Sequence, residues 1–182
     1  MTYLRPGSWP GADRLEYERL VGLWADIVSS IVSEGNRAKL FVSAPEDMVA
    51  VNDVWDRLSE ETRAGTSIHQ AANPDSLLDF YRGVDVVIWS RLHGVVLAMV
   101  AGRPVVALSH ERKVRTVMQD AGASASCAEL ATATVAETML MIRAVLDDLD
   151  SCSETLRGYV RGANTAVSEQ HDMLPQLIRR AR

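Results

Sequence analysis

Cysteine is scarce in this chain: Cys127 and Cys152 are the only two in 182 residues. Two thiols make neither a disulfide framework nor a metal cluster, so a reducing cytoplasm is the expected setting. No apolar run approaches the roughly 18–20 residues of a membrane span. The opening stretch "MTYLRPGSWPGADRLEYERL" is polar and broken by prolines, unlike a secretory signal. An excess of basic charge is also missing. With 19 basic against 24 acidic residues the net charge is -5, which gives no support to nucleic-acid binding as the main activity. Neither a Walker loop nor a GxGxxG turn occurs, and His69, His93, His110 and His171 show no metal spacing. No metal and no resident cofactor are expected. A phosphate site in this chain has to be built from helix ends and side-chain cations.

What is there is an alternation of short β-branched runs with longer amphipathic ones. With 47% hydrophobic residues and no internal repeat or Pro/Gly/Ser linker, the chain reads as one globular domain over residues 1–182. "TYLRP" is a candidate first strand. Residues 13–34 carry Leu15, Leu20, Leu23, Trp24, Ile27, Val28 and Ile31 at helical spacing, with Gly35 and Asn36 as the stop. "KLFVSA" (39–44) reads as a strand, and Pro45 opens a helix running to about Ala64. "TSIHQ" (66–70) reads as a short strand, followed by a short helix with Asn73 as cap and Pro74 at its first position. "DVVIWS" and "PVVALS" are continuous apolar runs, the form of central parallel strands covered on both faces. Residues 91–102 form the helix between them, apolar on nearly every side and expected to lie buried beneath the sheet. Further helices are expected from near Glu111, over 134–149, and over the polar region 153–179. Six or so such units imply an α/β fold, a Rossmann-like parallel sheet with helices on both faces and right-handed crossovers.

In such sheets ligands sit beyond the carboxyl ends of the strands. Ser90, Arg91 and His93 follow one central strand, and Ser109 to Lys113 follow the next. Ser90 is placed to cap helix 91–102, whose free N–H groups attract an anion. Arg91 offers a planar fork and Lys113 a compact point charge. Gly94 permits close approach of a ligand or a neighbouring element. His93 carries an imidazole, a group suited to proton transfer. Structural accounts stand beside these: Arg91 pairing with Asp85 or Asp120, Lys113 in a solvated charged turn, and His110 as a turn histidine that also stands within reach of a substrate. His69 is read as structural or peripheral and His171 as solvated. The tryptophans are read as packing residues, with Trp9 in its Pro/Gly loop a candidate sugar contact. Both cysteines lack a visible base and read as unreactive.

The segment D-V-V-I-W-S-R-L-H-G, followed by A-G-R-P-V-V-A-L-S-H-E-R-K-V, resembles the C-terminal half of the polysaccharide pyruvyl transferase family. R-L-H-G, the G-x-P strand and the lysine beyond it come in order and at suitable spacing, and "YLRP" is similar to the strand that opens that family's second domain. The resemblance implies a domain like the C-terminal half of a glycosyltransferase-B-like fold. It implies an enzyme of polysaccharide biosynthesis that transfers pyruvate from phosphoenolpyruvate to a sugar. Arg91 and Lys113 would then hold the phosphate and carboxylate, and His93 would be the acid–base group, with Ser90, Gly94 and His110 about the substrate. Family members run to about twice this length. The chain is therefore expected to correspond to one half, with an N-terminal domain or partner chain supplying the other wall, and to be inactive alone.

Two other readings keep the same strand ends. One is a nucleotide-sugar glycosyltransferase or epimerase, with Glu111 or Glu129 as the ribose acid. The other is a non-catalytic sugar- or anion-binding module.

Overall fold

A computed structural model describes residues 14–42, 45–70 and 74–180. The first helix, α1 (Arg14–Ser33), buries Leu20, Val21, Trp24, Ile27 and Val28 along one face. Each such side chain contributes about 1.5–3 kcal/mol on full burial. The helix ends where the sequence places its stop. Gly35 adopts φ 83°, its N–H reaches the Val32 carbonyl at 2.9 Å, and the Asn36 N–H reaches Ile31 at 3.2 Å. This paired closure needs a left-handed residue that glycine adopts without strain.

The chain then enters β1 (Ala38–Val42), passes a 3-10 turn at Pro45–Asp47, and continues as α2 (Met48–Asp56) and α3 (Glu60–Ala64). The single helix expected from Pro45 to Ala64 is therefore two. Ser59 takes an extended conformation and its side chain accepts from the Thr62 N–H, so a fresh N-terminus starts there. After β2 (Thr66–Gln70) come α4 (Pro74–Arg82), β3 (Val87–Trp89), α5 (Leu92–Val100), β4 (Val105–Leu108) and α6 (Arg112–Asp120). A two-residue strand β5 (Cys127–Ala128), α7 (Val135–Asp147) and α8 (Leu149–Arg180) follow. The candidate strand "TYLRP", Trp9, the end of "KLFVSA" and the Asn73 cap lie outside the described residues, as does the His171 side chain.

All strand pairings are parallel, and the described strands form two sheets, β2-β1 and β3-β4-β5. Both faces are covered, as the apolar runs require. Along β4 the alternation is plain: Val106 and Leu108 join one cluster with α1, α2 and α7, while Val105 and Ala107 join the other with α4, α5, α6 and α8. The architecture is α/β with parallel strands between helical layers, consistent with a Rossmann-like fold.

Two features modify the expectation. Helix α5 buries Gly94, Val95, Ala98 and Met99, but His93, Val96 and Val100 form an exposed stripe, so it is half-covered rather than sunk beneath the sheet. In addition, β1 and β3 exchange no ladder bonds. Between them lies an apolar slot of about 570 Å³, lined by Trp24, Ile27, Leu40, Phe41, Tyr81 and Trp89 among others. The Phe41 and Trp89 rings meet at 5.6 Å.

Candidate functional site

Strands β3 and β4 are in parallel register, with Val87 opposite Val105 and Trp89 opposite Ala107. Their following segments, Ser90 to His93 and Ser109 to Lys113, therefore emerge at the same edge of the sheet. This is the convergence the sequence predicts, and it brings the starts of α5 and α6 to one side of the molecule.

Arg91, not Ser90, is the N-cap of α5. It has extended geometry (φ -101°, ψ 146°), makes no side-chain cap, and its carbonyl accepts from Val95 at 3.1 Å. Ser90 is 2% exposed and sits one residue before the cap, at the end of β3. The expectation that Ser90 caps the helix is corrected: helical geometry begins one residue later, at Leu92. The comparable serine after β4 has a defined role. Ser109 is fully buried, and its hydroxyl accepts from the Glu111 N–H at 3.1 Å, bracing the start of α6.

Gly94 answers to a neighbouring element. A Cβ there would stand 1.8 Å from Nε1 of Trp89, so the indole occupies the space a side chain would take. Trp89, read from sequence as packing, is thus what fixes α5 against the end of its strand. His93 is exposed on the first turn of α5, and Arg91 is half-buried beside it. His110, Arg112 and Lys113 are exposed at the start of α6.

Neither proposed partner of Arg91 is at this edge. Asp85 precedes β3 and lines the slot at its amino end. Six extended residues separate it from Arg91, about 20 Å. Asp120 closes α6, a nine-residue helix and so about 13 Å from its start.

The distribution of charge separates this edge from the rest of the surface. Arg19, Arg57, Arg82, Arg115, Arg143 and Arg161 each pair with a carboxylate, Arg115 with Glu129 at 2.6 Å. Among the described residues, no carboxylate lies within ion-pair distance of Arg112 or Lys113. Helices α1, α3, α4, α7 and α8 carry an acid in their first turn, and α2 has Asp47 as its N-cap. The first turns of α2, α5 and α6 carry none; α6 has Glu111 as its N-cap and then opens on two cations. Cations beside the positive end of a helix dipole are unfavourable by a few tenths of a kcal/mol to about 1 kcal/mol. An anion bound there would relieve that cost.

The remaining candidates fall elsewhere. His69 is the last residue but one of β2, its ring tilted against Phe80 at 5.3 Å with Nε2 3.1 Å from the Ser67 hydroxyl. Burial pushes both the Cys127 and Cys152 thiols up, which disfavours the thiolate. Glu129 is engaged by Arg115, and Glu111 is the N-cap of α6. Among the described residues no group of His, Cys, Asp and Glu is arranged to hold a metal ion, and no helix is long and apolar enough to cross a membrane. The slot does not include Arg91, His93 or Lys113. The candidate site is an open edge, and the signal the sequence reading missed is that neither α5 nor α6 has a side-chain cap at its start.

In parallel α/β sheets ligands bind beyond the carboxyl ends of the strands, and it is there that Arg91, Arg112 and Lys113 stand. The model of the polysaccharide pyruvyl transferase family matches residues 10–112, more than half of the chain, and the chain belongs to that family. The match takes in Ser90, Arg91, His93, Gly94 and His110 and stops one residue short of Lys113. No curated protein and no solved structure matches the chain.

Proposed function

We propose that this chain is a pyruvyl-transferase domain whose donor, phosphoenolpyruvate, is held across the starts of α5 and α6. The observation that carries the reading is the pairing of two helix first turns that hold no acid with the cations Arg91 and Lys113, in a chain of a transferase family. A small dianion with a carboxylate fits such an edge: backbone N–H groups and the Arg91 fork take planar oxyanions, and Lys113 adds charge. Ser90, Gly94 and His110 border the same edge, Gly94 through the Trp89 packing that sets the pitch of α5.

In this reading His93 is the acid–base group. It gives a proton to the methylene carbon of the enol, leaving an oxocarbenium-like centre. A sugar hydroxyl attacks that centre and loses its proton to the imidazole. The C–O bond to phosphate then breaks, the phosphate departing as the anion that Arg91 and Lys113 stabilise, and a second hydroxyl closes the ketal as its proton passes to the released phosphate. Nothing in this sequence calls for a metal or resident cofactor. The acceptor is a saccharide of a cell-surface polysaccharide or its precursor.

Because His93 and Lys113 are exposed, charge at the edge is screened and substrate poorly oriented until a second wall, from another domain or chain, closes over it. The chain by itself is expected to bind the donor at millimolar strength, on the order of -4 kcal/mol, without forming ketal. Calorimetry of phosphoenolpyruvate against nucleoside diphosphate sugars tests the reading. Binding of the first and not of the second supports it, and the reverse result would sink it.

A further inference from the structure

The group assigned to proton transfer stands in water. Gly94 and Val95, which follow His93 on α5, are buried, Gly94 beneath the Trp89 indole, so the imidazole is turned away from the packed face of the helix. The exposed side chains of Val96 and Val100 continue its flank, and solvent reaches that flank from the first turn of α5 to the last. Lys113 is exposed as well, and its direction can be read from its neighbour. Arg115 reaches Glu129, beyond β5, on one flank of α6. Lys113 comes two residues earlier, about 200° round the helix, and so stands on the flank turned toward α5. The donor edge therefore brings its cations to one side while leaving the proton-transfer group open to solvent.

We propose that this domain, with its edge uncovered, hydrolyses phosphoenolpyruvate to pyruvate and inorganic phosphate, and that a covering wall decides between hydrolysis and transfer. The proposal rests on the reading of this edge as the donor site. His93 gives its proton to the methylene carbon, as in transfer, and the same oxocarbenium-like centre forms. Water then takes the place of the sugar hydroxyl: its oxygen bonds to that carbon and its proton passes to the imidazole, which is restored. The resulting carbon carries a hydroxyl and the phosphate ester together. The C–O bond to phosphate breaks, the hydroxyl proton goes to the departing phosphate, and the carbonyl of pyruvate is left. No other reactant is needed, and the step is downhill because an enol ester ends as a ketone.

Openness acts differently on the two nucleophiles. A sugar is a second substrate, and without a wall to hold it the advantage of orientation is lost. Water surrounds His93 already and needs no holding. Exclusion of water is also what protects reactive intermediates from hydrolysis in a closed site. The exposure of His93 and Lys113 thus removes the barrier to hydrolysis at the same time as it removes the means of transfer.

The test combines calorimetry with product analysis on the intact chain and on His93→Ala, which alters an exposed side chain. Phosphoenolpyruvate is added in heavy-oxygen water with no sugar present, and bound donor, pyruvate and phosphate are measured. Both proteins should bind the donor. The parent should release pyruvate and phosphate in equal amounts, and the variant should do so at least about 10²-fold more slowly. The phosphate should carry no heavy oxygen, because the bridging oxygen leaves with phosphorus when the C–O bond breaks. Labelled phosphate would mean attack at phosphorus and would overturn the proposal. Donor binding without release of pyruvate would also overturn it, while leaving the donor site standing. Absence of donor binding would remove the donor site itself, and the proposal with it.

Discussion

The starts of α7 and α6 are opposites. At α7, Thr134 accepts from the Glu137 N–H at 3.2 Å and donates to the Glu137 carboxylate at 2.9 Å, so the helix end is satisfied from within. At α6, Glu111 makes no side-chain cap and the first turn offers Arg112 and Lys113 to solvent. One end is closed by its own first turn, while the other has only Ser109 and the non-capping Glu111 before two cations. The same contrast separates α3, capped by Ser59 and opened by Glu60 and Glu61, from α5, capped by no side chain and opened by Leu92 and His93. What the comparison teaches is that the edge proposed for the donor differs from other helix starts in its weaker side-chain capping as well as in its cations.

The largest expected effect concerns His93. In an enzyme carrying this segment and competent for pyruvyl transfer, His93→Ala should lower kcat by about 10²–10⁴-fold while leaving donor affinity nearly unchanged. A pH–rate profile of unaltered shape in that variant would remove His93 from proton transfer. Next comes the support of the α5 end. Gly94→Ala places a methyl inside the Trp89 indole, and overpacking of this kind costs about 1–3 kcal/mol, visible as a fall in denaturation midpoint. A midpoint equal to that of the parent protein would mean that the close approach is not a constraint.

The self-satisfied end should respond in the ordinary way. Thr134→Ala should cost about 1 kcal/mol of stability and change anion binding not at all. The smallest effect has the opposite sign: Lys113→Glu should stabilise the protein without ligand by about 0.3–1 kcal/mol, because it places an acid at the positive end of α6.

Much of the framework was legible because burial on both faces leaves a plain mark. Val105 to Leu108 and Val87 to Trp89 are continuous apolar runs, and both are parallel strands; β4 is central in its sheet, whereas among the described strands β3 lies at that sheet's edge. The placement of Arg91, His93 and Lys113 at one edge followed from those two strands being adjacent and parallel. Other details were set by local competition that composition does not reveal. Ser59 breaks Pro45–Ala64 into two helices by capping Thr62, and Ser90 yields the N-cap of α5 to Arg91. The exposure of Val96 and Val100 depends on which neighbours reach α5, since an all-apolar helix gives no periodicity from which to read its covered face. Strand β5 has only two half-buried residues, too short for any pattern.

The central claim is that the α6 end trades stability for anion binding, and thermal denaturation of the parent protein and Lys113→Glu, with and without 10 mM phosphoenolpyruvate, tests it most directly. With millimolar affinity the ligand should stabilise the parent by about 1.4 kcal/mol. The variant should start higher without ligand and gain almost nothing from it. A variant that starts lower, or that gains as much as the parent, would contradict the account.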